Sequence, residues 1–167
     1  MYEFFNPARG NGGEGQVFAV NYLAKTVGGS AINADLPENG LVMLHPTNPL
    51  NSDGSLNVTR PEDASAVKNQ VFKVVGFSPD VNTVTDTGTG QRKGGVIQVT
   101  ACMISGPLLV EASAAAGSLL RTKNNSFEAA AEALDAVSDL GRIIGRSQVA
   151  TSGTAASVLC RFNSFAI

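Results

Sequence analysis

At 167 residues the chain has the length of one domain, or of one domain with an arm, and can bury a core without disulfides or metal. Twelve basic residues against 14 acidic ones leave a net charge of −2, which excludes the basic footprint of a nucleic-acid binder. No run of 18 apolar residues offers a membrane-spanning helix, and no membrane partner is expected. Charged residues make up only 16%, and 18 glycines add no solvating groups, so either the surface is rich in Ser, Thr and Asn, as in this chain, or partners cover part of it.

Residues 1–16 read as an extended, flexible N-terminal arm centred on Gly10-Asn11-Gly12-Gly13-Glu14-Gly15, too poor in apolar groups to fold alone. Phe4 and Phe5, with Tyr2 beside them, give the arm its aromatic surface and are the candidate partner-binding residues. The start lacks the basic and long apolar regions of a secretory signal, so synthesis in the cytosol is expected.

Residues 17–167 read as a single β-rich domain. Gln16 to Leu23 is strand or short helix, too short for periodicity to decide, and residues 28–40 form a loop. Leu41-Val42-Met43-Leu44-His45 is a buried strand stopped by Pro46 and Pro49. The turn dipeptides Asn48-Pro49, Asp53-Gly54 and Arg60-Pro61 make 46–66 a long loop. Val71 to Phe77 is the next strand, and the Thr- and Gly-rich stretch 78–94 a second long loop. Arg92 and Lys93, at its tip, are the candidate partner contacts of that loop. Strand-like runs follow at Gly95–Ile104, Ala116–Leu120, Arg142–Ser147 and Ala156–Phe162.

A short α-helix is expected at 126–137. Asn125 and Glu128 have capping-box spacing, Phe127, Ala130, Leu134 and Val137 recur at helical intervals, and Gly141 can end the helix. Alanine fills five of the eight positions from Ala129 to Ala136. Lys73-Val74-Val75-Gly76-Phe77-Ser78 echoes Arg142-Ile143-Ile144-Gly145-Arg146-Ser147, as two strands with matching glycine corners would. The expected fold is mainly β: a small barrel or β-tulip or sandwich of short strands, with one helix and the arm.

No constellation for chemistry stands out. His45, the single histidine, sits at a strand end with no nucleophile and carboxylate to complete a triad. One histidine and two distant cysteines, Cys102 and Cys160, do not make a metal site, and both thiols lie in apolar runs as buried small hydrophobes. Gly10-x-Gly12-x-x-Gly15 matches a dinucleotide fingerprint in form but follows no strand. No catalytic residue, cofactor or metal is expected.

The progression Val75-Gly76-Phe77, Gly95-Val96-Ile97-Gln98-Val99, Ala116-Gly117-Ser118-Leu119-Leu120, Ile144-Gly145-Arg146-Ser147 and Ala156–Phe162 resembles the capsid decoration (cement) proteins of tailed bacteriophages, over residues 70–163. The resemblance implies a β-barrel or β-tulip structural protein with no reaction and no cofactor. It implies a homotrimer that binds the major capsid protein on the outer surface of the virion, stabilising the lattice after synthesis in the host bacterial cytoplasm. The alternatives are another phage structural component, such as a head fibre base, tail or spike protein, and, further off, a small-ligand-binding barrel or enzyme.

Overall fold

The computed structural model describes residues 17–22, 34–50, 52, 54, 56–61, 71–76, 94–99, 105–133 and 142–162. Ten short strands make up its regular structure: β1 (Val17–Tyr22), β2 (Leu41–Leu44), β3 (Leu56–Thr59), β4 (Val71–Gly76), β5 (Gly94–Val99), β6 (Ser105–Val110), β7 (Leu119–Thr122), β8 (Ala129–Glu132), β9 (Gly145–Ser147) and β10 (Ala156–Phe162). The fold is mainly β, and the strands form two closed barrels, β1-β3-β2-β4-β5 and β10-β6-β8-β7-β9. In each barrel one neighbouring pair is parallel, β1 with β3 and β6 with β8. The remaining pairs are antiparallel. Closure removes the open edges that would otherwise template pairing with other chains.

The second barrel repeats the first, strand for strand and in register. Leu44 opposite Val58 corresponds to Thr122 opposite Ala129, and Leu41 opposite Lys73 to Leu119 opposite Arg146. Val74 opposite Ile97 corresponds to Ser147 opposite Cys160, and Phe18 opposite Ile97 to Gly106 opposite Cys160. Equivalent positions share burial more than identity: Val20 and Leu108, Val42 and Leu120, Val58 and Ala129, and Ile97 and Cys160 are all fully buried. The sequence echo falls on the equivalent strands β4 and β9, but out of register. The ladders match Lys73 with Arg146, whereas the echo matches it with Arg142, and Gly76 ends its strand while Gly145 begins one.

Side-chain alternation makes β2 and β4 a wall between two cores. Val42, Phe72 and Val74 face the first barrel's interior with Val20, Val58 and Ile97, where Leu36 and Phe127 join them. Leu41 and Val71, on the opposite face, pack with Leu108, Val110, Leu120, Ala129, Ile144, Cys160 and Phe162 of the second barrel. Each side chain so enclosed contributes about 1.5–3 kcal/mol. Phe127, from the second half of the chain, sits in the first core, and Leu41, from the first half, sits in the second.

The backbone joins the barrels at the same place. Asn39 N–H donates to Val74 C=O (2.8 Å) and Val74 N–H to Gly40 C=O (2.9 Å), which fastens residues 39–40 to β4. Leu109 N–H donates to Asn39 C=O (2.8 Å) and Leu41 N–H to Phe127 C=O (2.7 Å), which fastens the same residues to the second barrel. Residues 39–41 thus form a wedge between β6 and the approach to β8, two strands that pair directly at one position, Val110 with Ala129. The equivalent turn of the second barrel has the same local bonds, Gly117 N–H to Ser147 C=O and Ser147 N–H to Ser118 C=O. Both turns place a residue at positive φ, Asn39 (61°) and Gly117 (83°).

Two sequence expectations change. The helix at 126–137 is absent over its described part: residues 129–132 are strand β8, and residues 134–137 lie outside the described residues. Asn125 takes positive φ (52°) instead of a helix-capping conformation, and the Ser126 hydroxyl accepts the Glu128 N–H (3.1 Å). Pairing with β7 over four residues overrides the alanine propensity, and small side chains suit a strand squeezed between neighbours. The loop at 46–66 contains β3, whose short Leu56-Asn57-Val58-Thr59 run is anchored by β1 and β2. β6 forms despite Pro107. Leu109 N–H turns away from β10 to Asn39, so position 107, two residues back, also points away from that ladder, where a missing donor costs no strand bond. The arm and residues 78–93 lie outside the described residues.

Gly40 is the residue the wedge constrains most. A Cβ built there would lie 2.7 Å from Pro37 Cγ, 3.1 Å from Pro37 C=O and 3.2 Å from Phe127 Cβ, and a proline ring cannot swing aside. Gly40→Ala is therefore expected to lower stability by about 1–3 kcal/mol, read as a reduced urea midpoint at unchanged slope.

Candidate functional site

The sequence-predicted site residues Tyr2, Phe4, Phe5, Arg92 and Lys93 lie outside the described residues, as does Cys102. His45 is described and does turn work. Its Nδ1 meets the Asn48 N–H and the Thr47 hydroxyl, both at 3.2 Å, and its own N–H donates to Asn57 C=O (2.9 Å). Among the described residues no group of three or more His, Cys, Asp or Glu is placed to hold a metal ion.

Two places gather functional groups. The first is buried, at the seam between the barrels. Lys73 is 4% exposed, projects from β4 on the same face as Val71, and donates to Asn39 Oδ1 (3.4 Å). Burial pushes its pKa below the usual lysine value, while the charges of Glu38 and Cys160 act in the opposite direction. A strand lysine reads in sequence as a solvated charge, and a second barrel packed on that strand is what reverses the reading. Cys160 is fully buried beside it in the second core, and its thiol sits 3.5 Å from Val158 C=O. Burial raises its pKa to about 12, against a smaller lowering effect of Lys73.

The second place is the outer face of the second barrel. Along β10, Ser157, Leu159 and Arg161 alternate outward, and all are exposed. Leu159 lies opposite the exposed Pro107, and Arg161 opposite the exposed Arg146. Val149, half exposed, continues the apolar part, one residue after Gln148, whose N–H bonds Leu159 C=O. Like charges directly across a ladder repel. Among the described residues ion pairs join Arg121 to Glu132 and Lys123 to Glu128 and Glu111, away from this pair. In the register of the repeat, Arg146 is the counterpart of Lys73. The position that the first barrel buries at Lys73 is the one the second barrel exposes at Arg146.

Three of the remaining buried polar side chains are tied into the framework, whereas Arg60 Nε is buried without a hydrogen-bond partner. Asn57 donates to Asn48 C=O (3.0 Å), Thr151 donates to Glu111 C=O (2.5 Å) and accepts the Ala114 N–H (2.9 Å), and Ser147 donates to Val149 C=O.

No protein-family model matches the chain, and no curated protein matches it.

Cys160 generates a test with a defined sign. Its folded pKa, about 12, stands above the unfolded value of 9.0, so its contribution to stability is complete below pH 9 and is lost as pH rises from 9 toward 12. At neutral pH the folded thiol is protonated and shielded from reagents. Alkylation followed by peptide mapping, which separates Cys160 from Cys102, should find Cys160 unmodified in native protein and modified after denaturation.

Proposed function

We propose that the chain is a structural virion protein that binds the outer surface of a phage capsid and reinforces the lattice of major capsid proteins, as a homotrimer. The observation that carries this reading is the outward face of β9, β10 and β6. It presents Leu159, Pro107 and Val149 beside an opposed arginine pair. Exposed apolar groups rimmed by polar ones suit a binding surface. The tied-off buried polar groups and the sequence resemblance to decoration proteins support a body whose work is done on its outside. The turn at residues 115–118, the exposed counterpart of the inter-barrel wedge, is the candidate contact between sister subunits. A trimer spanning several capsid subunits holds on by multivalency, so modest contacts add up across each lattice joint.

The arm adds reach. Burying one phenylalanine contributes about 1.5–3 kcal/mol. Ordering a flexible segment costs about 1–2 kcal/mol per residue. Phe4 and Phe5 therefore need backbone hydrogen bonds as well, and strand addition to a capsid sheet edge supplies them.

Two outcomes check the reading on expanded, undecorated heads, with bound protein measured after sedimentation. The full chain should bind, and Arg146→Glu with Arg161→Glu should weaken binding by about tenfold or more, because the reversal keeps the cross-strand repulsion and inverts the charge offered to the partner. Deleting residues 1–9 should leave the melting temperature nearly unchanged and weaken attachment. Failure of the full chain to bind heads would refute the decoration role, and unimpaired binding by the truncated chain would remove the arm from it.

A further inference from the structure

The Lys73–Asn39 contact lacks a purpose in the framework. A buried lysine normally faces a carboxylate, yet this one meets a neutral amide at 3.4 Å. Since a C=O bond is about 1.23 Å long, the amine nitrogen lies within about 4.6 Å of the Asn39 side-chain carbonyl carbon. The two groups are 34 residues apart in the chain and are held together by the wedge. Asn39 has its N–H bonded to Val74 C=O and its C=O bonded by Leu109 N–H, and Val74 N–H bonds Gly40 C=O. The amide and the amine are therefore presented by backbone that is fixed on both sides.

We propose that Lys73 and Asn39 join in an intramolecular isopeptide bond, formed by the chain itself. Lys73 Nζ attacks Asn39 Cγ, a C–N bond forms, and the carbonyl electron pair moves onto Oδ1. Nζ loses a proton and Nδ2 gains one. The carbonyl re-forms, the Cγ–Nδ2 bond breaks, and ammonia leaves. An amine and a primary amide become a secondary amide and ammonia, with no oxidant or cofactor.

The surroundings favour each part. Burial favours the neutral, nucleophilic amine. The competing nucleophile at an Asn-Gly sequence is the next backbone nitrogen, but Gly40 N–H is an amide already donating to Pro37 C=O (3.2 Å). Once formed, the bond ties the wedge covalently to β4 and replaces a buried charge with an amide. This inference concerns the interior and holds whatever the outer face binds.

The test is the intact mass of the full chain, purified folded and then denatured. The expected mass is lower than the sequence mass by one ammonia, and tandem mass spectrometry of a digest should recover a branched peptide joining the segment with Asn39 to the segment with Lys73. The deficit should survive hydroxylamine, which opens a succinimide at Asn39-Gly40. Lys73→Met and Asn39→Ala should each show the full sequence mass. Full mass in the wild-type chain after prolonged incubation, a deficit that disappears in hydroxylamine, or one that persists in Lys73→Met would each overturn the proposal. The wild-type mass alone decides should a variant fail to fold.

Discussion

Three consecutive residues, Asn39, Gly40 and Leu41, hold the molecule together. Their backbone groups bond to β4 on one side and to β6 and Phe127 on the other. A buried peptide group left without a partner costs more than a formed bond contributes, so these bonds specify position more than they add stability. The wedge takes the N–H of Leu109, which β8 does not reach, and so fills the weakly paired part of the second barrel. Left-handed backbone at Asn39 and the missing side chain at Gly40 are the local conditions for this.

From the wedge follows the sharing of cores. With residues 39–41 in place, β2 and β4 have no solvent face over most of their length: Leu41, Val42, Val71, Phe72, Lys73 and Val74 are all buried. Neither barrel completes its interior with its own residues. Phe127 fills the first and Leu41 and Val71 the second. The equivalence of the two barrels is thus broken where they meet. Lys73 is enclosed, while its counterpart Arg146 stands in solvent.

How much was legible in the sequence depended on what each strand had to bury. β2, β4 and β10 are apolar runs bounded by proline, glycine or polar turns, and they read correctly as strands. β3 was hidden because four residues flanked by turn dipeptides give too short a period. β6 was hidden by Pro107, whose strand is tolerated only because the wedge occupies that side. β8 was misread because Ala129-Ala130-Ala131 speaks for a helix locally, and only the partners β6 and β7 decide otherwise. The duplication was nearly invisible, since equivalent positions such as Val58 and Ala129, or Ile97 and Cys160, conserve burial and not residue type. The seam could not be read at all. Lys73 looks like a surface charge and Asn39-Gly40 like any turn until the second barrel is placed.

The sequential layout of the barrels has a consequence for how the chain emerges from a ribosome. All five strands of the first barrel are complete by Val99, before the second barrel begins at Ser105. The first barrel can therefore close early, as N-terminal units do during synthesis. Its interior still lacks Phe127, and the outer faces of Leu41, Val71 and Lys73 still lack a cover. For the time taken to translate some 60 further residues, at about 5–20 residues per second, a sticky apolar wall faces solvent. Several nascent chains on one message would hold such walls close together. The same two-part order that makes stepwise folding feasible thus creates a brief window in which one chain's first half can capture another chain's second half, giving interlocked copies in place of separate ones.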